Sequence, residues 1–148
     1  MVNNIVYIYI YISCYLSIMF HEITHLIFAL IFWREFEELS IGADFLKIKF
    51  WKIKISLILG DSYLSIDTQT LKDAKTYQII MFFLSGTIFN IAVVLICFFY
   101  SNLFFVRMTL IFNLVLIVFN FLPIGSTDLN MILRILKRQR KRFDTNDY

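Results

Sequence analysis

The sequence predicts an all-α polytopic membrane protein: three transmembrane helices with a membrane-surface β-hairpin between the first and second. Three observations lead there. Of the 148 residues, 59% are hydrophobic, against about 45–50% in an ordinary soluble domain, and a chain this short has too little interior to hide the excess. The apolar residues fall in three long runs almost free of charge. Between the first two runs, a Lys-rich stretch alternates polar and apolar residues with the two-residue period of a strand. The length suits a single domain, 1–148.

Residues 4–32 make the first span, an apolar run interrupted only by HEITH at 21–25. About 20 residues cross a bilayer at 1.5 Å per residue, so the run spans with some tilt. It does not read as a signal peptide, because it lacks a basic leading region and no small-residue cleavage site follows. Arg34, Glu35, Glu37 and Glu38 mark the exit to water, opening a surface region over 33–76. Lys47 to Ile55 reads as a strand, Gly60-Asp61 as a turn, and Tyr63 to Ile66 as the returning strand of a hairpin. The second span covers 77–100 and contains Ser85, Gly86, Thr87 and Asn90. Ser101-Asn102 is a tight break, and the third span covers 103–122, with Arg107 one turn in from its start and placed to snorkel. Pro123 and Gly125 then interrupt the helix, and a short helix from about Asp128 leads into a basic tail, 134–148.

Charge sets the orientation. The formal net charge is only +3, but Lys137, Arg138, Arg140, Lys141 and Arg142 stand almost together. Beside a membrane helix such a run is a cytoplasmic anchor that meets anionic lipid, and nucleic acid is not an expected partner. The Lys-rich 33–76 region belongs on the same side, and three spans satisfy both demands. The chain is therefore expected as an integral protein of a bacterial cytoplasmic membrane, with its amino terminus outside and its carboxyl terminus in the cytoplasm. Cys14 and Cys97 both lie in apolar runs and read as buried free thiols.

HEITH has the form H-E-x-x-H. Residues four apart share one face of a helix, so His21 and His25 can reach one metal ion, while Glu22 can take a proton from a metal-bound water. They are the only histidines in the chain. Such a set in the middle of a span is a burden unless it has a use. Zinc at a catalytic site usually takes three protein ligands. Asp128 is the third candidate, since it lies near the cytoplasmic end of the third span, the end nearer to which HEITH sits in the first. An Asp at that place also suits a helix N-cap.

At this point the chain resembles the site-2 proteases, the zinc intramembrane metalloproteases, and reads as a minimal, short member. HEITH matches their HExxH. Ser85-Gly86-Thr87-Ile88-Phe89-Asn90 is similar to their middle-span motif of a small residue, Gly and a following Asn. Asn120-Phe121-Leu122-Pro123 followed by Asp128 is similar to their N-x-x-P-x-x-x-x-D pattern. The resemblance implies one Zn2+ per chain held by His21, His25 and Asp128, with Glu22 as general base. It implies that Asn90 polarises the scissile carbonyl or holds substrate, that Asn120 supports the ligand helix or the substrate, and that Gly86 belongs with them in substrate binding or transition-state support. Interhelical hydrogen bonding is the plainer role for both asparagines, and close helix packing for Gly86. The chain departs from the family at Leu129 and Asn130, where glycines are usual, and at Thr87, where Pro is frequent; it also has no room for a regulatory domain between the last two spans.

The expected function is zinc-dependent endopeptidase cleavage of a membrane-embedded or membrane-associated protein or peptide through a zinc-activated water. The lipid bilayer and a regulatory membrane partner are further expected partners. The hairpin is expected to clamp an unwound substrate by strand addition, or to anchor at the lipid surface through its lysines, Phe50 and Trp51. The main alternative is a catalytically degenerate binding module of the same fold. A metal transporter fits less well, because the outer halves of the spans are apolar, and a purely structural membrane protein leaves HEITH unexplained.

Overall fold

The computed structural model describes residues 2–43, 47–60, 62–100, 102–125 and 127–146. Helix α1 (Val2–Phe32) runs unbroken through HEITH, as expected of a segment with neither Gly nor Pro. Helices α3 (Thr76–Phe99) and α4 (Phe104–Phe121) follow, and with α1 they are the three described helices long and apolar enough to cross a membrane. The side-chain contacts fix their directions. Ser85 meets His25 and Asn90 meets His21, so α3 runs antiparallel to α1. Thr109 meets Ser13, Asn113 meets Ser17 and Asn120 meets His21, so α4 runs parallel to it. The spans close to the expected bounds of 4–32, 77–100 and 103–122, and most of their large apolar side chains face outward. On α4 the residue wholly enclosed is Asn113, whose side-chain amide donates to Ser17 Oγ at 2.9 Å and to the Thr109 carbonyl at 2.8 Å.

Between α1 and α3 the chain builds more than one hairpin. Strands β1 (Glu38–Ile41), β2 (Ile48–Phe50), β3 (Ile53–Ile55) and β4 (Tyr63–Ser65) form one sheet in the order β2-β3-β1-β4. The expected strand over Lys47 to Ile55 is itself the hairpin, folding back at Trp51-Lys52 with Trp51 at φ 54°. The expected returning strand at Tyr63 does not pair with it. It pairs antiparallel with β1, which in turn pairs parallel with β3. The physical reason is β1: Leu39 and Ile41 bury against Tyr15, Met19 and Leu26 of α1, so the central strand is the one that the helix covers. Its acidic residues suggested only an exit to water, yet Glu38 is partnered, by Lys54 at 2.7 Å and by the Tyr63 hydroxyl at 3.0 Å. The Lys54 hydrogen bond, with help from Tyr63, holds the Glu38 carboxyl below its ordinary range.

The sheet reaches back along α1, because the Tyr11 hydroxyl donates to the Leu57 carbonyl and accepts from the Leu59 N–H. Ile48, Phe50 and Leu57 are each about four-fifths exposed, an apolar face with no protein over it. A short helix, α2 (Thr68–Asp73), capped by the Asp67 carboxylate, returns the chain to α3. Asp61 of the expected turn and Ser101 of the expected break lie outside the described residues, as do the side chains of the basic run from Arg138 onward.

Helix α4 stops at Phe121 because Pro123 forbids its continuation: Leu122 is already extended, as the residue before a proline prefers. Gly125 then turns the chain at φ 60°, and α5 (Asp128–Asn146) begins. Its Ile132 packs with Ala29 of α1 and Ile79, Phe82 and Phe83 of α3 in the larger core cluster, which brings α5 under the ends of the bundle.

Candidate metal centre

His21, Glu22 and His25 occupy one turn and a half of α1 and are all buried. His21 lies eleven residues before the end of α1, roughly 16 Å along the axis. Each imidazole is held from behind by α3. His25 Nδ1 lies 2.8 Å from the Phe82 carbonyl, which can only accept, so Nδ1 carries the proton and Nε2 presents a lone pair. The Ser85 hydroxyl, itself donating to the same carbonyl at 2.7 Å, sits 3.1 Å from that nitrogen. His21 Nδ1 lies 3.1 Å from the Asn90 amide.

The two Nε2 atoms face each other at 3.1 Å. Asp128 completes the triangle, with Oδ2 at 3.4 Å from His21 Nε2 and Oδ1 at 3.6 Å from His25 Nε2. One donor atom from each residue falls within 4.8 Å of the others. Two donors bound to one zinc at about 2.1 Å and a tetrahedral angle stand about 3.4 Å apart, close to the imidazole–imidazole separation and to the distance from each ring to its nearer carboxylate oxygen. The electrostatics agree. With its proton on Nδ1, His25 presents Nε2 as an acceptor facing another imidazole nitrogen at 3.1 Å and a carboxylate oxygen at 3.6 Å, and a cation between the three satisfies them together. Asp128 Oδ2 is buried and accepts no well-formed hydrogen bond from the described residues, its neighbour His21 Nε2 lying at 3.4 Å, a costly position for a carboxylate oxygen unless a cation completes it. The set therefore fits a metal ion.

Gly86 makes the approach possible. A Cβ there would stand 2.4–2.6 Å from three atoms of the His21 ring, so the residue expected to allow close packing does so against the imidazole of a candidate ligand and not merely against a helix. Asp128 is aimed by the α4–α5 turn. Met131 N–H donates to the Thr127 carbonyl at 3.0 Å, which puts Thr127 in the cap position and Asp128 in the first helical turn. The Thr127 hydroxyl donates to the Leu122 carbonyl, and the Asn130 amide donates to the Gly125 carbonyl at 2.6 Å. Asn130, which stands where the resembled family has glycine, thus braces the turn that carries the ligand.

Asn90 and Asn120 lie on opposite sides of His21. Asn120 is half-buried, with Nδ2 3.4 Å from His21 Nε2, on the face where the three donors converge. Asn90 is wholly enclosed behind the ring. Glu22 lines a cavity of about 180 Å³ with His25 and Asp128, room for several waters. Ser62 and, from β4, Tyr63 and Leu64 line the same cavity. Sequence reasoning did not find the Phe82 carbonyl, the Thr127–Asn130 brace or the β4 wall. The first two act through backbone carbonyls, which leave no mark in the residue types, and the third depends on a strand pairing that alternation alone does not specify.

Comparisons with protein-family models, curated proteins and solved structures give no match. Gly86→Ala tests the geometry directly. The variant is expected to retain wild-type helical content and to lose at least about tenfold in zinc affinity, the scale on which displaced ligands weaken a site; unchanged affinity in a competition titration contradicts the arrangement.

Proposed function

We propose that the chain is a zinc-dependent intramembrane endopeptidase, as its resemblance to the site-2 proteases implies. The observation that carries the reading is the convergence of His21 Nε2, His25 Nε2 and the Asp128 carboxylate at one point inside an apolar three-helix bundle, with Glu22 on the adjoining cavity. One Zn2+ per chain would be held by those three residues. When bound, it supplies a Lewis acid that acidifies water and polarises a carbonyl. Glu22 takes the proton from the attacking water and returns it to the departing amine nitrogen. Asn120, on the open side of His21, is the donor placed to hold the carbonyl oxygen.

The sheet presents the substrate. Ile53 and Ile55, on the strand first expected to clamp, belong to β3, which is paired on both sides and has no edge to offer. The strand β4 is paired on one side only, and its Tyr63 and Leu64 line the cavity that Glu22 also lines. An unwound peptide added to that edge has its backbone held beside the metal centre. The exposed Ile48, Phe50 and Leu57 face lipid, with the lysines toward headgroups. The basic tail and the sheet lie on the cytoplasmic side and the amino terminus outside. The substrate is a transmembrane or membrane-associated protein or peptide of the membrane that holds the enzyme, a bacterial cytoplasmic membrane on the present reading. The binding-module alternative rests on Leu129 and Asn130; the Asn130–Gly125 hydrogen bond gives the second substitution a role that leaves the ligand in place.

Two experiments bear on this. In native cells, membrane-protein termini are compared between the wild-type chain and Glu22→Gln, which keeps zinc and removes the base. Termini present with the wild type should fall by a factor on the order of 10²–10⁴ in their rate of appearance; identical termini with zinc bound in both favour the binding module. With Cys14→Ser and Cys97→Ser as background, Tyr63→Cys should form a disulfide with a single-cysteine substrate near its scissile bond, whereas Phe50→Cys on the opposite edge should not. Equal cross-linking from both edges contradicts presentation on β4.

A further inference from the structure

Asn90 is a fully buried amide on a membrane-spanning helix, and its contacts do not suit a residue that handles substrate. It does not line the cavity that Glu22, His25 and Asp128 share. It is 0% exposed. Its side-chain hydrogen bond is to His21 Nδ1, on the side of the ring away from Asp128, while its other amide atom, Oδ1, has no partner. A second polar group left idle inside an apolar bundle is costly, so the bond that Asn90 does make must account for it.

The chemistry of His21 indicates which amide atom makes that bond. A neutral imidazole carries one proton. If Nδ1 accepted from the Asn90 NH2, the proton would be on Nε2, and Nε2 could not bind a metal. Binding through Nε2 needs the proton on Nδ1 and an acceptor to receive it. The amide oxygen and nitrogen exchange places by a half-turn about the last side-chain bond, and because Oδ1 has no other partner the half-turn sacrifices no hydrogen bond. His25 shows the same logic with a fixed acceptor, the Phe82 carbonyl at 2.8 Å. The two ligands are thus set by two devices on α3, one from the main chain and one from a side chain.

Resting on the metal centre proposed above, we propose that Asn90 is a positioning residue for His21: its side-chain oxygen accepts the Nδ1 proton and commits Nε2 to the ion. Asn90 then contributes to metal affinity and ring orientation and touches neither the scissile carbonyl nor the substrate. Asn120 is the asparagine left for that task.

Three variants of the full chain, purified in detergent, separate this from a packing role: Asn90→Leu, of the same branched shape but larger and with no acceptor; Asn90→Ala, smaller and with no acceptor; and Asn90→Asp, nearly the same size and an acceptor of the kind that commonly backs a zinc histidine. Each is titrated with zinc against a chelator of known affinity, with helical content and thermal unfolding recorded without metal. The Leu and Ala variants are expected to bind zinc about 10–100-fold more weakly than the wild type, and the Asp variant to bind within a few-fold of it. A mere packing role instead tracks side-chain size and metal-free stability, so that zinc affinity falls only where thermal unfolding without metal falls with it. In the zinc-loaded wild type, nitrogen-15 spectra should show a His21 Nδ1 proton that exchanges slowly with solvent; a rapidly exchanging proton overturns the proposal even if a variant fails to fold. Wild-type affinity in the Leu and Ala variants overturns the role of Asn90 and leaves the metal centre standing. A wild type that takes up no zinc overturns both.

Discussion

Three polar side chains within a turn and a half of an apolar helix, His21, Glu22 and His25, impose the condition that the rest of the fold meets. Polar groups in such a setting must be partnered inside the protein or put to use. Behind the histidines, α3 supplies the Phe82 carbonyl, the Ser85 hydroxyl and the Asn90 amide, and it can come close enough to do so because Gly86 has no side chain. In front, α4 ends at Pro123 and a braced turn swings Asp128 inward. The bundle is thus arranged around the demands of one helical turn, and the outward faces remain apolar.

The same condition explains the polar contacts farther along α1. Ser17 and Ser13 lie about one and two turns toward the amino terminus from His21, and Asn113 and Thr109 of α4 meet them. These contacts hold α4 parallel to α1 and so bring Asn120 beside His21. Contacts of this kind matter more here than apolar burial, because lipid competes on equal terms with apolar side chains for a helix surface. With Asn113 alone fully enclosed on α4, the position of that helix depends on polar pairs and on the short connections at its two ends.

The spans could be read from the sequence because hydropathy over 20 residues is a strong and local signal. Likewise, HEITH and Asp128 could be read because ligand residue types at helical spacing, next to a helix-stopping Pro123, carry their geometry with them. The sheet was only partly readable. Alternation from Lys47 to Ile55 indicates extended chain but contains no marker for the reversal at Trp51, a non-glycine residue at positive φ. Nor does Glu38–Ile41 look like a central strand until α1 is seen to cover it. Asn90 was visible as a polar residue in a span, but its side of the histidine was not, since which face of an imidazole a neighbour meets depends on the helix packing that Gly86 permits.

The most direct test of the account is zinc stoichiometry and K-edge X-ray absorption on the wild-type chain reconstituted in lipid nanodiscs. The expected result is one tightly held zinc per chain, surrounded by nitrogen and oxygen at about 2.0–2.2 Å with the multiple-scattering pattern of two imidazoles. A wild type that retains no stoichiometric zinc, or a zinc bound through sulfur of Cys14 or Cys97, would contradict the claim that His21, His25 and Asp128 are placed to hold one ion.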